Sequence, residues 1–127
     1  MKVKHILLVD DNDIDNYVSN HIIKKSQIAE RITIKNSAIA ALEYLQTIKG
    51  CIEEFPELIF LDIKMPMLDG FGFLDQLISF QLAQEGKCSV FMLSSSSDPG
   101  DINKAMEYRV VKKFFTKPLK IEMLQGL

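Results

Sequence analysis

Residues 57–62 read ELIFLD, an unbroken apolar run that ends on an acid. The pattern recurs at HILLV (5–9), followed by Asp10 and Asp11, and at SVFML (89–93), followed by Ser94 and Ser95. RVVKKFF (109–115) is mixed in character and leads into Thr116, Lys117 and Pro118. Continuous rather than alternating hydrophobicity predicts strands covered on both faces, as in a parallel sheet. RITIK (31–35) alternates, which predicts a fifth strand near an edge.

The segments between these runs have helical spacing. Residues 13–28 set Ile14, Tyr17, Val18, His21 and Ile22 three and four apart, an apolar stripe of the kind that faces a core, with Asp13 as N-cap. Ser37 caps AIAALEYLQTI, a run that ends at Gly50. Gly70 to Gln84 presents Phe71, Phe73, Leu74, Leu77, Ile78 and Leu82 as one wide apolar face. Asp98 caps a helix with Pro99 at its first position and Asp101 in its first turn. Pro118 opens a last helix through Ile121 and Leu124, shorter than the other four and also compatible with a fragment of a longer protein. The order βαβαβαβαβα predicts an α/β fold, a parallel sheet with helices on both faces joined by right-handed crossovers. With 127 residues, 47% of them hydrophobic, the chain is expected to form a single unit over residues 1–127.

A formal net charge of -2 and a pI near 5.7 argue against direct nucleic-acid binding. The N-terminal apolar run stops at Asp10, too short for a signal peptide or a membrane span, so a cytoplasmic location is expected. Cys51 and Cys88 lack metal-site spacing and read as reduced structural thiols.

In open α/β sheets ligands sit beyond the carboxyl ends of the strands. Asp10 and Asp11, Asp62, Ser94 and Lys117 would meet there. Clustered carboxylates repel unless a cation lies between them, and an all-oxygen set favours a hard ion such as Mg²⁺. Mg²⁺ recruits phosphate oxygens, a nearby lysine adds a second positive charge, and an aspartate can act as covalent nucleophile. The residue types fit phosphoryl transfer.

The motifs LLVDDND, LIFLDIKMPMLDG, VFMLSSS and FFTKPL, in this order, resemble the receiver domain of two-component response regulators over essentially the whole chain. The resemblance implies a flavodoxin-like (βα)5 fold with strand order 2-1-3-4-5. It places the phosphoacceptor at Asp62 and the metal ligands at Asp10, Asp11, Asp62 and the backbone carbonyl of Lys64. Lys117 then pairs with the phosphoryl group and is followed by a proline commonly joined by a cis bond. Ser94, with Ser95 as its alternative, matches the switch hydroxyl, and Phe114 the switch aromatic. The implied function is a phosphoacceptor switch and not an enzyme in its own right. It would be served by Mg²⁺ and a sensor histidine kinase or histidine phosphotransfer protein. Phosphorylation would act through the face made by the fourth helix, fifth strand and fifth helix on a downstream protein target or output domain.

Plainer roles are expected for the remaining polar residues. Asp13 and Asp15 read as a solvated turn and cap, and Asp69-Gly70 as a turn and cap. Ser96 and Ser97 read as a polar loop, His5 and His21 as structural, and Lys112 and Lys113 as solvated charge at a partner-facing edge. Two rival functions stand beside the switch. A haloacid-dehalogenase-type phosphatase needs a second acid where Lys64 stands, and a constitutive docking module has no use for a costly acidic pocket.

Overall fold

The structure is a computed structural model and describes residues 3–125. The element order is β1 (Val3–Val9), α1 (Asp13–Ser26), β2 (Ala29–Lys35), α2 (Ala38–Thr47), β3 (Leu58–Leu61) and α3 (Gly70–Leu77), followed by α4 (Gln81–Gln84), β4 (Ser89–Ser94), α5 (Pro99–Met106), β5 (Val111–Thr116) and a 3₁₀ turn (Ile121–Leu124). The five strands are parallel in the order β2-β1-β3-β4-β5, the expected flavodoxin-like sheet. β2 is an edge, as its alternation predicts. At the other edge β5 turns Lys112 and Lys113 to solvent, charges that discourage edge-to-edge pairing.

The sheet separates two apolar layers. One, the upper layer, joins Leu7, Val9, Ile59, Leu61 and Met92 to Leu45 of α2, Phe73 and Leu77 of α3 and Ala105 of α5. The other, the lower layer, joins Ile6, Leu8, Phe60, Phe91 and Leu93 to Ile23 of α1 and Leu124 of the 3₁₀ turn. Every residue of β3 is buried, which is why its sequence is apolar without alternation.

The predicted caps of three helices are in place. Ser37 accepts from the Ala40 N–H at 3.0 Å, Asp69 from Gly72 at 2.8 Å and Asp98 from Gly100 at 3.3 Å. The first helix differs: Asn12, not Asp13, is its N-cap, accepting from the Asp15 N–H at 3.0 Å. Asp13 is the first helical residue, where its charge faces the positive end of the helix dipole.

The larger correction concerns which face of α1 is buried. Ile14 and Tyr17 are 73% and 74% exposed, Val18 and His21 also face solvent, and Ile22 is half-buried. The inward stripe is Asn16, Ser19 and Ile23. Asn16 lies over the acidic end of β1 and donates from Nδ2 to the Asp10 carbonyl at 2.8 Å, a bond no apolar side chain could make.

Two further boundaries move. The predicted helix 70–84 breaks between Leu77 and Gln81. There the Ser79 hydroxyl donates to the Gln76 carbonyl at 2.6 Å, the last turn tightens, and Phe80 turns into the core. The last helical element starts at Ile121 rather than at Pro118. Leu119, buried against the lower layer, and extended Lys120 occupy the intervening chain.

Candidate functional site

The polar residues cluster where the sequence analysis places them, at the carboxyl ends of the strands. β1 delivers Asp10 and Asp11, and the Asp62 N–H donates to the Val9 carbonyl at 3.0 Å, which sets the end of β3 beside them. One ligand atom from each of Asp10, Asp11 and Asp62 lies within 4.8 Å of the others. Asp10 and Asp62 are buried, and Asp11 is exposed.

Lys117 closes the group from the end of β5. Its backbone N–H donates to the Ser94 carbonyl at 2.7 Å, and its peptide bond to Pro118 is cis. The Lys117 Nζ lies 2.7 Å from Asp10 Oδ2, 2.8 Å from Asp15 Oδ2 and 3.6 Å from Asp62 Oδ2. Asp15 was expected to be solvated, yet it contacts the lysine. No local pattern could reveal this, because the two residues are 102 positions apart in the chain. The sequence pattern does not single out Asn12 and Asn16 either. Asn12 N–H donates to Asp10 Oδ1 at 2.9 Å, and Asn16 holds the carbonyl of the same residue. Polar residues within the first turns of a helix that starts next to the acids were the available signal.

Electrostatics follow from this packing. Burial, then the neighbouring Asp10 charge, push the Asp62 carboxyl up to about 6, against the opposing pull of Lys117 and of the Ile63 N–H, which donates to Asp62 Oδ1 at 2.9 Å. Burial pulls the Lys117 ammonium down, but hydrogen bonds to Asp10 and Asp15 and the charge of Asp62 outweigh it and leave it above the usual lysine value.

Ser94 is the last residue of β4, buried and in register with Thr116, and its hydroxyl accepts from the Ser96 N–H at 3.1 Å. Ser95 is exposed. Phe114 is half-buried in the upper layer, in register with Met92, and Phe115 packs edge-on against Phe91 on the opposite face. The Lys64 side chain is exposed on the loop after Asp62. In the same loop Met67 is 92% exposed and takes a positive φ of 72°, a conformation that costs energy for a side chain with a Cβ.

The two histidines lie outside this group. His5 is fully buried, its Nδ1 2.7 Å from the Glu54 carbonyl and its Nε2 2.7 Å from Thr33 Oγ1. The carbonyl can only accept, and at 2.7 Å it favours the proton on Nδ1 over acceptance there from the Arg31 guanidinium at 3.2 Å, which leaves Nε2 to accept from the threonine. His21 is exposed on α1.

Three carboxylates converging beside one ammonium suit a hard divalent cation. Each offers an oxygen, and their mutual repulsion would be relieved by the ion. Among the described residues no helix is long and apolar enough to cross a membrane.

Comparison with known proteins agrees with this architecture. Residues 6–126 match the family model described as the response regulator receiver domain. The crystal structure of a two-component response regulator from Cytophaga hutchinsonii superposes with a TM-score of 0.90 at 32% identity, covering 99% of this chain and 94% of that one. The structure of the Mn(2+)-bound form of response regulator Rcp1 has a TM-score of 0.78 at 27% identity and covers 97% and 90%. Among curated sequences, the two-component response regulator ARR17 of Arabidopsis thaliana is 33% identical over 97% of this chain and 81% of its own length. The chain spans only 20% to 32% of the length of three other curated relatives. The strand order, the acids at the strand ends and the match over residues 6–126 together make this chain a member of the response regulator receiver domain family.

Proposed function

We propose that this chain is a phosphoacceptor switch that takes a phosphoryl group onto Asp62 from a histidine kinase or histidine phosphotransfer protein. The observation that carries the reading is the position of Asp62. It is 7% exposed at the end of an apolar strand, beside two further acids and 3.6 Å from an ammonium. Burying that charge is costly, and a scaffold gains nothing from it.

In the transfer, an Asp62 carboxylate oxygen forms a bond to phosphorus as the bond from phosphorus to the donor histidine nitrogen breaks, and the imidazole leaves with a proton from solvent. With its carboxyl near 6, Asp62 is largely ionised, and so nucleophilic, at neutral pH. The carboxylates of Asp10, Asp11 and Asp62, with the Lys64 carbonyl, would hold Mg²⁺, which neutralises charge on the phosphoryl oxygens. The Mn(2+)-bound form of Rcp1 supports a divalent ion in a related chain. Lys117 supplies the second positive charge. Ser94 is the switch hydroxyl, at a buried strand end whose carbonyl already holds Lys117. Phe114 follows it inward, from its half-buried position on β5. The repacking alters the face made by α5, β5 and the last helical element, read by a downstream protein or output domain.

The test is intact-mass spectrometry after incubation with acetyl phosphate, with and without Mg²⁺, on the native chain and on Asp62→Asn. A single Mg²⁺-dependent phosphoryl adduct lost in the variant is the expected result. No adduct despite measurable Mg²⁺ binding would overturn the reading in favour of a constitutive docking module. For the switch, structures with and without beryllofluoride should differ in the rotamers of Ser94 and Phe114.

A further inference from the structure

We propose that Asp15 is a positioning residue that holds the Lys117 ammonium on the α1 side of the pocket in the unphosphorylated chain and thereby slows phosphoryl uptake. The proposal rests on the phosphoacceptor reading of Asp62.

Lys117 is 11% exposed, and its Nζ has two short carboxylate partners, Asp10 at 2.7 Å and Asp15 at 2.8 Å. Asp62 stands at 3.6 Å, outside hydrogen-bond range. An ammonium carries three donors, and to stabilise charge on a transferring phosphoryl group at least one must be aimed there. Two donors are committed to carboxylates and the third remains free, but the two bonds hold the Nζ on the α1 side, 3.6 Å from Asp62, so that closing on the phosphoryl group strains one of them.

Asp15 is the partner built to let go. The Asp10 carboxylate is anchored, its Oδ1 accepting from the Asn12 N–H at 2.9 Å, and it belongs to the acid set that suits a cation. The Asp15 side chain is 37% exposed, so its charge returns to water at little cost. Its placement is nonetheless specific. Asn12 caps the Asp15 N–H at 3.0 Å, and Asn16 locks the next helical position to the Asp10 carbonyl at 2.8 Å. These two bonds fix the rotation of the first turn of α1, so that Asp15 meets Lys117.

Two effects then act with one sign. Asp15 detains the ammonium, and its negative charge repels an incoming phosphate donor. Asp15→Asn removes both. Asp13→Asn is the control, since Asp13 lies in the same turn, is exposed, and makes no ion pair among the described residues.

The rate of adduct formation with acetyl phosphate at saturating Mg²⁺ should rise about threefold in Asp15→Asn, the rate equivalent of one partly exposed ion pair. It should stay near the native value in Asp13→Asn and return toward it in Asp15→Glu. Amide spectra check folding, and Asp15→Ser serves as a second neutral variant. An independent readout needs no phosphoryl chemistry. The Lys117 ammonium ¹⁵N resonance, recorded without Mg²⁺, should shift in Asp15→Asn and not in Asp13→Asn. Equal rates in native chain and Asp15→Asn, an equal rise in Asp13→Asn, or an unmoved Lys117 resonance would each overturn the role of Asp15 alone. No adduct on the native chain would instead overturn the phosphoacceptor reading, and the kinetic role of Asp15 with it.

Discussion

Gly70 packs against the backbone of Asp62: a Cβ at Gly70 would lie 2.5 Å from the Asp62 carbonyl oxygen and 2.9 Å from the Ile63 Cα. The Gly70 N–H donates to the Ile63 carbonyl at 2.7 Å, so the start of α3 is pressed onto the loop that follows the acid. Backbone cannot swing aside as the end of a side chain can. Gly70→Ala should therefore cost about 2–3 kcal/mol in urea unfolding and slow uptake from acetyl phosphate, because something near Asp62 must move. Gly72→Ala meets side chains rather than backbone, chiefly that of Leu68, which can turn aside, and should cost less than about 1 kcal/mol.

Asp62 should make the ion-free protein less stable at alkaline pH. Its carboxyl is raised from 3.8 to about 6 in the fold, so the protonated form is favoured there. Its stabilising contribution is fully present below 3.8 and lost as pH rises through about 6. Asp62→Asn should accordingly exceed the native chain in stability by about 1–3 kcal/mol at pH 8, a gain that fades on acidification toward pH 4. Mg²⁺ added at pH 8 should stabilise the native chain and narrow the gap. Thermal unfolding across pH, with and without the ion, checks both.

His5 works in the opposite direction. Burial, with the Arg31 charge adding to it and the Glu54 carbonyl opposing, holds its imidazole below the usual 6.5, so the neutral ring is favoured in the fold. The stability it contributes is present above 6.5 and lost as pH falls through the lowered value. The His5 resonances should show the neutral ring protonated at Nδ1 down to below pH 6.5, and an acid titration following them should see protonation coincide with loss of stability.

The inverted face of α1 gives a comparison within one helix. Ile14→Ser and Tyr17→Ser should change stability by less than about 0.5 kcal/mol, since both side chains already face water. Ile23→Ala should cost about 2–4 kcal/mol by opening a cavity in the lower layer. Asn16→Ala should cost about 1–3 kcal/mol by leaving the Asp10 carbonyl without its donor. Denaturant midpoints of the four variants would separate the buried face from the exposed one.

The strands, their parallel arrangement and the residues at their ends were legible in the amino-acid order. LIFL is apolar throughout because both faces of β3 are covered, and an acid that directly follows such a run can only emerge at the sheet's end. Capping is equally local, which is why Ser37, Asp69 and Asp98 could be assigned from their immediate neighbours. Other features required the assembled chain. Apolar periodicity pointed to Ile14, Tyr17 and Val18 as the inner face of α1, but that helix crosses the acidic end of the sheet, where the inward positions must supply hydrogen bonds or remain small. Asn16 and Ser19 meet that demand, and Ile14, Tyr17 and Val18 are left outside. Likewise the contact of Asp15 with Lys117 joins the first helix to the end of the last strand. Residue order determined which groups reach the carboxyl edge of the sheet; tertiary packing alone decided which carboxylates share the lysine, because a charge selects its partners by distance in space rather than along the chain.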